Sequence, residues 1–417
     1  MLLQSVAKIS AKINQYSHIM AVASFFLAHL ASILRILSIL EGTKNKAVVL
    51  FSLLFWLLVV ATAVQLFFWG AIFSRLACHH PPVAQFISPQ HEPPISVVIC
   101  ARNEAENLSK NLYHFLNQNY RLFEIIVVND HSTDTTREVV LNFQAKFPNL
   151  RLIESTATAS GKKVALQKGI MAARFDIIAL SDADCQPATD QWLATMQRAL
   201  QGNIQIALGY SPYVKQVGLL NRFIRFETIY TALQYASFAL AGMPYMGVGR
   251  NLMYRKSLFL QERGFHKHTH IASGDDDLFI NAVSNRTNTT IVFDAQAFVY
   301  SQPKSSWRDY YYQKSRHLTT ATSYRPLHQL ALGALAASHA GHYLLALTLL
   351  AGGHMVVFVL FIYLVRIGVV SWTYGRVLQR LQASDLIAWA PMLDAGYVLY
   401  YFVFAPILLI GNKNQWK

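Results

Sequence analysis

The sequence predicts a doubly wound α/β domain flanked by transmembrane α-helices. Of its 417 residues, 53% are apolar and only 14% are charged, whereas roughly 25% of the residues of soluble globular proteins are charged. Long apolar stretches lie near both ends of the chain, and short apolar runs alternate with amphipathic stretches between residues 93 and 325. These observations exclude a purely soluble protein and a disordered one, and they place an α/β domain between membrane segments.

The first membrane segment covers residues 47–73, which contain no charged residue. At about 1.5 Å per residue this stretch is long enough to cross a hydrocarbon core of about 30 Å, so we predict a transmembrane helix. Residues 1–46 precede it and include an apolar part, 17–40, that contains two histidines and an arginine. That part is either an amphipathic segment on the membrane surface or a further span.

The strands of the central domain are predicted from near-continuous Val/Ile/Leu runs, which are typical of parallel strands buried on both faces. These runs are ISVVIC (95–100), EIIVVN (124–129), LRLIE (150–154), DIIALS (176–181) and IQIALGY (204–210). Amphipathic stretches between them predict helices at 104–118, 132–147, 162–173 and 189–201. Repeated strand–helix–strand units form a doubly wound sheet, whose ligand site lies at the carboxyl ends of the strands.

A second apolar region covers residues 328–411. It contains three candidate spans, at 330–350, 354–370 and 387–410, and the first includes two histidines and could instead lie on the membrane surface. We therefore predict two or three membrane helices here. The basic residues beside them do not determine on which side of the membrane the chain ends.

Polar residues follow three of the predicted strands, at the edge where the ligand site is expected. They are Asn103 and Glu104 after the first strand, Asp130 after the second, and Asp182 and Asp184 after the fourth. Capping of the next helix explains such residues when they occur singly. Two carboxylates one residue apart on a turn, however, also suit a hard divalent cation. Between the third and fourth strands, Lys162 opens a helix whose amide groups and lysine could bind a diphosphate.

Six motifs in one order carry a resemblance to a known family. They are Ala101-Arg102-Asn103-Glu104, Val127-Val128-Asn129-Asp130, Gly161-Lys162-Lys163, Asp182-Ala183-Asp184, Gly274-Asp275-Asp276-Asp277 and Gln313-Lys314-Ser315-Arg316-His317, and a loop around Asn251 also matches. The series resembles the membrane-bound family 2 glycosyltransferases. The resemblance implies a GT-A (Rossmann-like, doubly wound) domain over 93–325, with a nucleotide-sugar half at 93–209 and an acceptor half at 210–325.

The resemblance also implies a role for each matching residue. Donor-binding residues would be Asn103, Glu104, Asp130, Lys162, Asp182, Asp184 and Arg316, and acceptor-side residues would be Asn251, Gln313 and His317. Asp184 and Asp182 would hold Mg²⁺ or Mn²⁺, which stabilises the departing diphosphate. Asp276 would be the general base, with Asp275 as the alternative, because consecutive acids raise one another's pKa toward the useful range.

Two positions depart from the family pattern. Asn129 stands where many relatives have Asp, and His317 replaces the Trp that stacks on the growing chain in processive relatives. The loss of that tryptophan favours transfer of one sugar to a discrete acceptor over polymer extension.

The formal net charge of +14 is unevenly distributed. Residues 93–209 contain 11 basic and 11 acidic residues, whereas residues 210–327 contain 14 and 7. The basic half includes an amphipathic stretch, 217–240, so we expect this half to lie against anionic lipid headgroups. A nucleic-acid partner is not expected, because no basic helix or aromatic platform accompanies the charge.

The combined expectation is an inverting glycosyltransferase that moves one sugar from a nucleotide-sugar, expected to be UDP-linked, to a lipid or lipid-linked acceptor. Three cysteines without a disulfide or zinc pattern indicate a reducing compartment. A reducing compartment agrees with a catalytic domain in the cytoplasm, and the expected location is the bacterial inner membrane. Two alternatives are a processive polysaccharide synthase and a non-catalytic membrane transporter or scaffold.

Overall fold

The computed structural model describes residues 43–80, 92–155, 161–268, 271 and 273–410. The possible span at 17–40 lies outside these described residues. The described chain divides into two compact units, one formed by residues 43–62 and 341–363 and the other by all remaining residues. The α/β domain and the site that it carries belong to the second unit.

The central sheet contains seven strands in the order β3-β2-β1-β4-β7-β6-β8. Their bounds are β1 (Ile95–Ala101), β2 (Phe123–Asn129), β3 (Leu150–Glu154), β4 (Ile177–Asp182), β6 (Ile206–Gly209), β7 (Leu252–Arg255) and β8 (Thr289–Val292). Two short strands, β5 (Cys185–Pro187) and β9 (Val299–Ser301), pair separately as an antiparallel ladder.

The sheet is mixed, whereas the sequence predicted parallel strands alone. Strand β7 is antiparallel to both of its neighbours, β4 and β6. It escaped prediction because Leu252–Arg255 is only four residues long and has no extended Val/Ile run. The other neighbouring strands pair in parallel, so the carboxyl ends of β1, β2 and β4 meet at one edge.

Helices between the strands cover both faces of the sheet, and long apolar helices precede and follow the α/β domain in the chain. They are α1 (Thr43–Phe67), α2 (Ala105–Leu116), α3 (Thr136–Gln144), α4 (Lys162–Ala172), α5 (Trp192–Arg198), α6 (Leu219–Leu240), α7 (Lys256–Gln261), α8 (Asp277–Val283), α9 (Trp307–Leu318), α10 (Pro326–Ala351), α11 (Val356–Arg380) and α12 (Ala390–Ile410). Each face of the sheet carries its own hydrophobic core, and alternate side chains of β1 point to different cores. Val97 belongs to the core that contains residues of α2 and α5, and Val98 to the core that contains residues of α4 and α6. The doubly wound arrangement is therefore confirmed.

Helix α4 lies unusually close to the sheet because Gly169 has no side chain. A Cβ atom there would lie 2.5 Å from Val98 Cγ1 and 2.8 Å from Val128 Cγ2. Contacts this short are not tolerated, so any larger residue would push the helix away. The close packing fixes the start of α4, and with it Lys162, at the carboxyl edge of the sheet.

Helix α6 differs from the surface helix expected at 217–240. Only its start is exposed, at Leu219, while Phe226, Ile229 and Leu233 are buried in the core of the second unit. Its faces are covered by the sheet and by neighbouring helices, so apolar residues occur all around it. The helix thus forms an inner wall of the acceptor half rather than a surface for lipid headgroups.

Four helices in the described residues are long and apolar enough to cross a membrane. They are Ala47–Ala77, Pro326–Ala351, Val356–Arg380 and Ser384–Ile407. The first includes a π-helical segment, Phe68–Phe73, after α1. In the smaller unit, Leu58, Leu349 and Val359 form a buried cluster, and Thr62 Oγ1 lies 2.8 Å from His342 Nδ1. These helices, which precede and follow the α/β domain in the chain, indicate association with a membrane.

Candidate active site

A single large cavity of about 2270 Å³ opens at the carboxyl edge of the sheet. It collects almost every site residue expected from the sequence, namely Asn103, Glu104, Asp130, Lys162, Asp182, Asp184, Asp275, Asp276, Gln313, Arg316 and His317. These residues come from β1, β2, β4, α4, α8 and α9 and the loops beside them, so the fold brings together groups that are up to about 200 positions apart in the chain.

Asp182 and Asp184 stand at the end of β4 and form a candidate metal site. Their carboxylate oxygens and the sulfur of Cys185 all lie within 4.8 Å of one another. Burial, and then repulsion by Asp182, raises the pKa of Asp184. A cation would relieve this repulsion, and two carboxylates are the hard oxygen donors that Mg²⁺ and Mn²⁺ prefer. The residues present therefore fit the divalent ion that the sequence analysis expected.

Lys162 connects the two acidic parts of the cavity. Its ammonium group lies 2.9 Å from Asp182 Oδ1 and 3.3 Å from Asp275 Oδ2. Burial alone would lower the pKa of Lys162, but these carboxylates outweigh that effect and hold it well above its ordinary value. The backbone before it is fixed by Asp130, whose Oδ2 accepts a hydrogen bond of 3.0 Å from the Gly161 amide. Lys162 is thus a permanent cation at the centre of the cavity.

The three consecutive acids at 275–277 occupy three different environments. Asp277 is buried, and its Oδ2 accepts hydrogen bonds from Thr320 Oγ1 at 2.5 Å and Tyr324 OH at 2.7 Å. Asp275 is paired with Lys162, as described above. Asp276 precedes α8 and accepts hydrogen bonds from the amides of Gly249 at 2.6 Å and Asp277 at 2.8 Å.

The chemistry of Asp276 suits a proton acceptor. Burial, followed by the charges of Asp275 and Asp277, raises the pKa of Asp276 to about 7. A carboxyl with that pKa is half ionised near neutral pH, where it is a better base than an ordinary aspartate. Asp276 lines the cavity, is less buried than Asp275 and Asp277, and has a carboxyl that can accept a proton near neutral pH.

The donor end of the cavity includes two further predicted residues. Asn103 has a left-handed backbone, with φ of 57°, and its Oδ1 accepts a hydrogen bond of 2.8 Å from the Thr133 amide. This bond ties the loop after β1 to the loop after β2. Glu104 accepts a hydrogen bond from Asn107 at 2.5 Å, and burial raises the pKa of its carboxyl.

Helix α9 supplies the acceptor side of the cavity. Gln313 Nε2 donates to Tyr213 OH at 3.3 Å, and the side chain of Arg316 lines the cavity one turn later. The side chain of His317 is exposed to the cavity. The cavity walls shield it from bulk solvent, and this desolvation, followed by the charges of Lys314 and Arg316, lowers its pKa well below the ordinary value. His317 is therefore neutral at physiological pH.

Asn251 was expected on the acceptor side of the cavity, but it does not line the cavity. Its side chain is fully buried, donates to the carbonyls of Tyr210 and Ala297, and accepts a hydrogen bond from Trp192. Every polar atom of the amide is engaged in these structural bonds, so Asn251 does not contact the cavity. The expectation for this residue is corrected: Asn251 holds the loop, and its neighbour Arg250 faces the site.

Arg250 was missed by the sequence analysis, although its loop was noted. Its guanidinium lies 4.6 Å from the centre of the Tyr213 ring, donates to the Ser211 carbonyl at 3.4 Å, and interacts electrostatically with Asp184. The signal available in the sequence was an arginine beside two glycines in the acceptor-side loop. Arg250 adds a second partly buried cation near the candidate metal site.

Comparison with known proteins finds similar sequences and a similar fold. The model of the family described as glycosyl transferase family 2 matches residues 96–262. A beta-monoglucosyldiacylglycerol synthase from Nostoc sp. is 28% identical over 40% of this chain and 39% of its own length. A dolichyl-phosphate beta-glucosyltransferase from Trichomonas vaginalis is 36% identical over 22% of this chain and 30% of its own length. This chain thus spans well under two thirds of these relatives.

The fold also matches a solved structure. A mannosyltransferase from Pyrobaculum calidifontis, in complex with GDP-Man and Mn²⁺, is similar with a TM-score of 0.54 and 17% identity, over 84% of this chain and 99% of the other. At that identity the likeness concerns the fold. Residues 96–262 therefore match glycosyl transferase family 2, and the α/β domain has the GT-A fold, with apolar helices before and after it in the chain.

Proposed function

We propose that this protein transfers one sugar from a nucleotide-sugar donor to the hydroxyl group of a lipid or lipid-linked acceptor, with inversion at the anomeric carbon. A UDP-linked sugar is the expected donor. The observation that carries the proposal is the extent of the cavity, which runs without interruption from Asp182 and Asp184 to the apolar helices α10 and α12. One cavity can thus receive a polar donor and an apolar acceptor.

The part of the cavity lined by α10 and α12, here called the membrane end, is suited to an acyl or isoprenoid chain. Its lining is mostly apolar or aromatic and includes Leu332, Leu335, Ala336, Tyr397, Phe404 and Ile407. Both helices are long and apolar enough to cross a membrane. A lipid could therefore keep its chain beside these helices while its headgroup reaches the polar end.

The chemistry follows from the positions of the charged residues. Asp276 takes the proton of the acceptor hydroxyl as that oxygen attacks the anomeric carbon and the bond from this carbon to the diphosphate breaks. Lys162 and Arg316 stabilise the negative charge that the departing diphosphate gains. Asp182 and Asp184 would hold the divalent ion, which when bound supplies further charge neutralisation for the diphosphate.

The location proposed is the bacterial inner membrane, with the GT-A domain in the cytoplasm. Three cysteines, Cys78, Cys100 and Cys185, are free in the described chain, which agrees with a reducing compartment. His317 in place of a stacking tryptophan supports single transfer over processive synthesis. Acids at one cavity with a raised pKa support a catalytic role over a scaffold.

A donor screen tests the proposal. Purified protein in detergent, with Mn²⁺ and a membrane lipid extract, is incubated with a panel of radiolabelled nucleotide-sugars, and the organic phase is examined for labelled lipid. We expect one donor to label a lipid, with loss of label in the Asp184→Asn variant. Failure of every donor to be transferred or hydrolysed would contradict the enzyme assignment, and labelled product of high molecular weight would contradict single transfer.

A further inference from the structure

We propose that the acceptor is an uncharged lipid with a free hydroxyl group, not a lipid phosphate, and that the ion pair formed by Glu227 and Lys314 contacts its headgroup. This inference rests on the proposed function and names the class of its acceptor. It chooses between a neutral lipid hydroxyl and a lipid phosphate, two acceptor types between which the relatives do not decide. The supporting observations are a buried ion pair, the charges of the membrane end, and the place where the nucleophile must lie.

The ion pair joins α6 to α9 across the cavity wall. Lys314 Nζ lies 2.5 Å from Glu227 Oε2, and the two side chains are only 12% and 3% exposed. Thr231 Oγ1 donates to Glu227 Oε1 at 3.1 Å, and all three residues line the cavity. The group has no net charge but offers both donors and acceptors, which is what an uncharged polar headgroup requires.

The membrane end offers no cation to a lipid phosphate. Among the described cavity residues of α6, α10 and α12, Glu227 is the single charged residue, and Lys314 neutralises it. The other cations that line the cavity are Arg102, Lys162, Arg250, Lys304 and Arg316, and all of them lie outside these three helices. Lys162 is held by Asp182 and Asp275, and Arg250 interacts with Asp184. A phosphate buried here would lack the paired positive charge that burial of an anion requires.

The position of the nucleophile points to the same acceptor class. The attacking oxygen must lie beside Asp276, within a group of three acids. A phosphate anion there would face like charges, whereas a neutral hydroxyl donates its proton to the carboxylate. A phosphate oxygen is already ionised at neutral pH and has no need of a base.

An acceptor panel on the unaltered protein tests the inference. Undecaprenol and undecaprenyl phosphate differ only in their headgroup, and dioleoylglycerol supplies a second neutral hydroxyl; each is presented in detergent micelles with the labelled donor. We expect transfer to a neutral lipid at least about tenfold faster than to undecaprenyl phosphate. Faster transfer to the phosphate would overturn this inference while the proposed function stands. No use of any donor would overturn both, and donor hydrolysis without transfer to a neutral lipid counts against the inference.

A charge variant tests the role of the pair. Glu227→Gln leaves the Lys314 ammonium uncompensated, so the rate ratio of phosphate lipid to neutral lipid should rise at least about fivefold. The double variant Glu227→Gln/Lys314→Met should return the ratio toward its original value. Glu138→Gln, at an exposed site on α3, is the matched control. An unchanged ratio in a folded Glu227→Gln protein would show that the pair does not contact the headgroup, and the acceptor panel decides the matter if this variant fails to fold.

Discussion

Asp275, Asp276 and Asp277 show how far neighbouring residues of one type can differ. Asp277 is held by two hydroxyl groups, Asp275 by the ammonium of Lys162, and Asp276 by two backbone amides. The partners come from segments 27 to 113 positions away or from the adjacent amide, so no local pattern distinguishes the three acids. The resemblance indicated the motif and the preference for Asp276, but the partners that give each acid its environment could not be predicted from the sequence.

Asp276→Asn should abolish proton acceptance without disrupting the fold. We expect kcat to fall by about 10²–10⁴, measured with a saturating acceptor. In the unaltered protein the base must be ionised, so activity should decrease as the pH falls below about 7. Retention of full activity by Asp276→Asn, together with its loss in Asp275→Asn, would assign the base to Asp275.

The melting temperature of the same variant is its folding control. The pKa of Asp276 is higher in the folded than in the unfolded chain, so the folded state binds more protons and loses stability as pH rises from about 4 to 7. Asparagine removes that cost. Asp276→Asn should therefore melt at an equal or higher temperature than the unaltered protein at pH 8, and a lower melting temperature would indicate structural damage.

Adjacent lysines at the start of α4 should respond differently to substitution. Lys162 faces the acids of the cavity, whereas Lys163 donates to the carbonyls of His268 and Ile271, each at 2.8 Å. We expect Lys162→Met to lower kcat by about 10²-fold and Lys163→Met to lower the free energy of unfolding by about 1–3 kcal/mol. Activity assays and thermal melts on both variants make the comparison, and equal kcat losses would contradict it.

At the scale of elements, a buried polar network joins four apolar helices. Arg366 of α11 donates to Asp394 of α12 and to Gln65 of α1, each at 2.9 Å. His339 of α10 lies 3.3 Å from the same Asp394 carboxylate. All four side chains are at most 1% exposed, so the network fixes the positions of helices that include both walls of the membrane end.

Breaking this network on one side should be costly. Arg366→Leu removes the guanidinium that faces the buried Asp394 charge, so we expect a loss of about 3–5 kcal/mol in the free energy of unfolding. Denaturation in detergent micelles measures it, with Arg376→Leu, an exposed arginine of the same helix, as the control. Arg366→Leu/Asp394→Leu should recover part of the loss, and a double variant as unstable as the single one would contradict this account.

The elements of the nucleotide half follow closely from the hydrophobic pattern. The predicted runs at 95–100 and 150–154 became β1 and β3 with at most one residue of difference, because burial of both strand faces leaves a continuous apolar signal. Strand β7 and the burial of α6 did not follow. The pairing of β7 and the burial of α6 depend on the elements packed around them, and the local sequence does not specify those neighbours.

For the whole molecule, the main result is that one cavity joins the acidic edge of the sheet to apolar helices. The membrane end is assembled from α10 and α12, which lie more than 140 positions after Asp184. The composition indicated membrane helices, and the motifs indicated a donor site. Neither observation required that these helices and the donor site line the same cavity. Their continuity is what makes a lipid acceptor the proposed partner of the donor site.

The sequence was sufficient for the fold class, the apolar helices and the acids at the strand ends, because hydrophobic periodicity and the order of motifs are local properties of the chain. Asn251 and Arg250, the basicity of Asp276, and the pairing of Glu227 with Lys314 depended on three-dimensional contacts. Burial and electrostatic pairing are set by residues distant in the chain. Burial explains why Asn251 is structural while its neighbour Arg250 faces the site. Electrostatic pairing of Glu227 with Lys314 is the basis for the proposal of an uncharged acceptor.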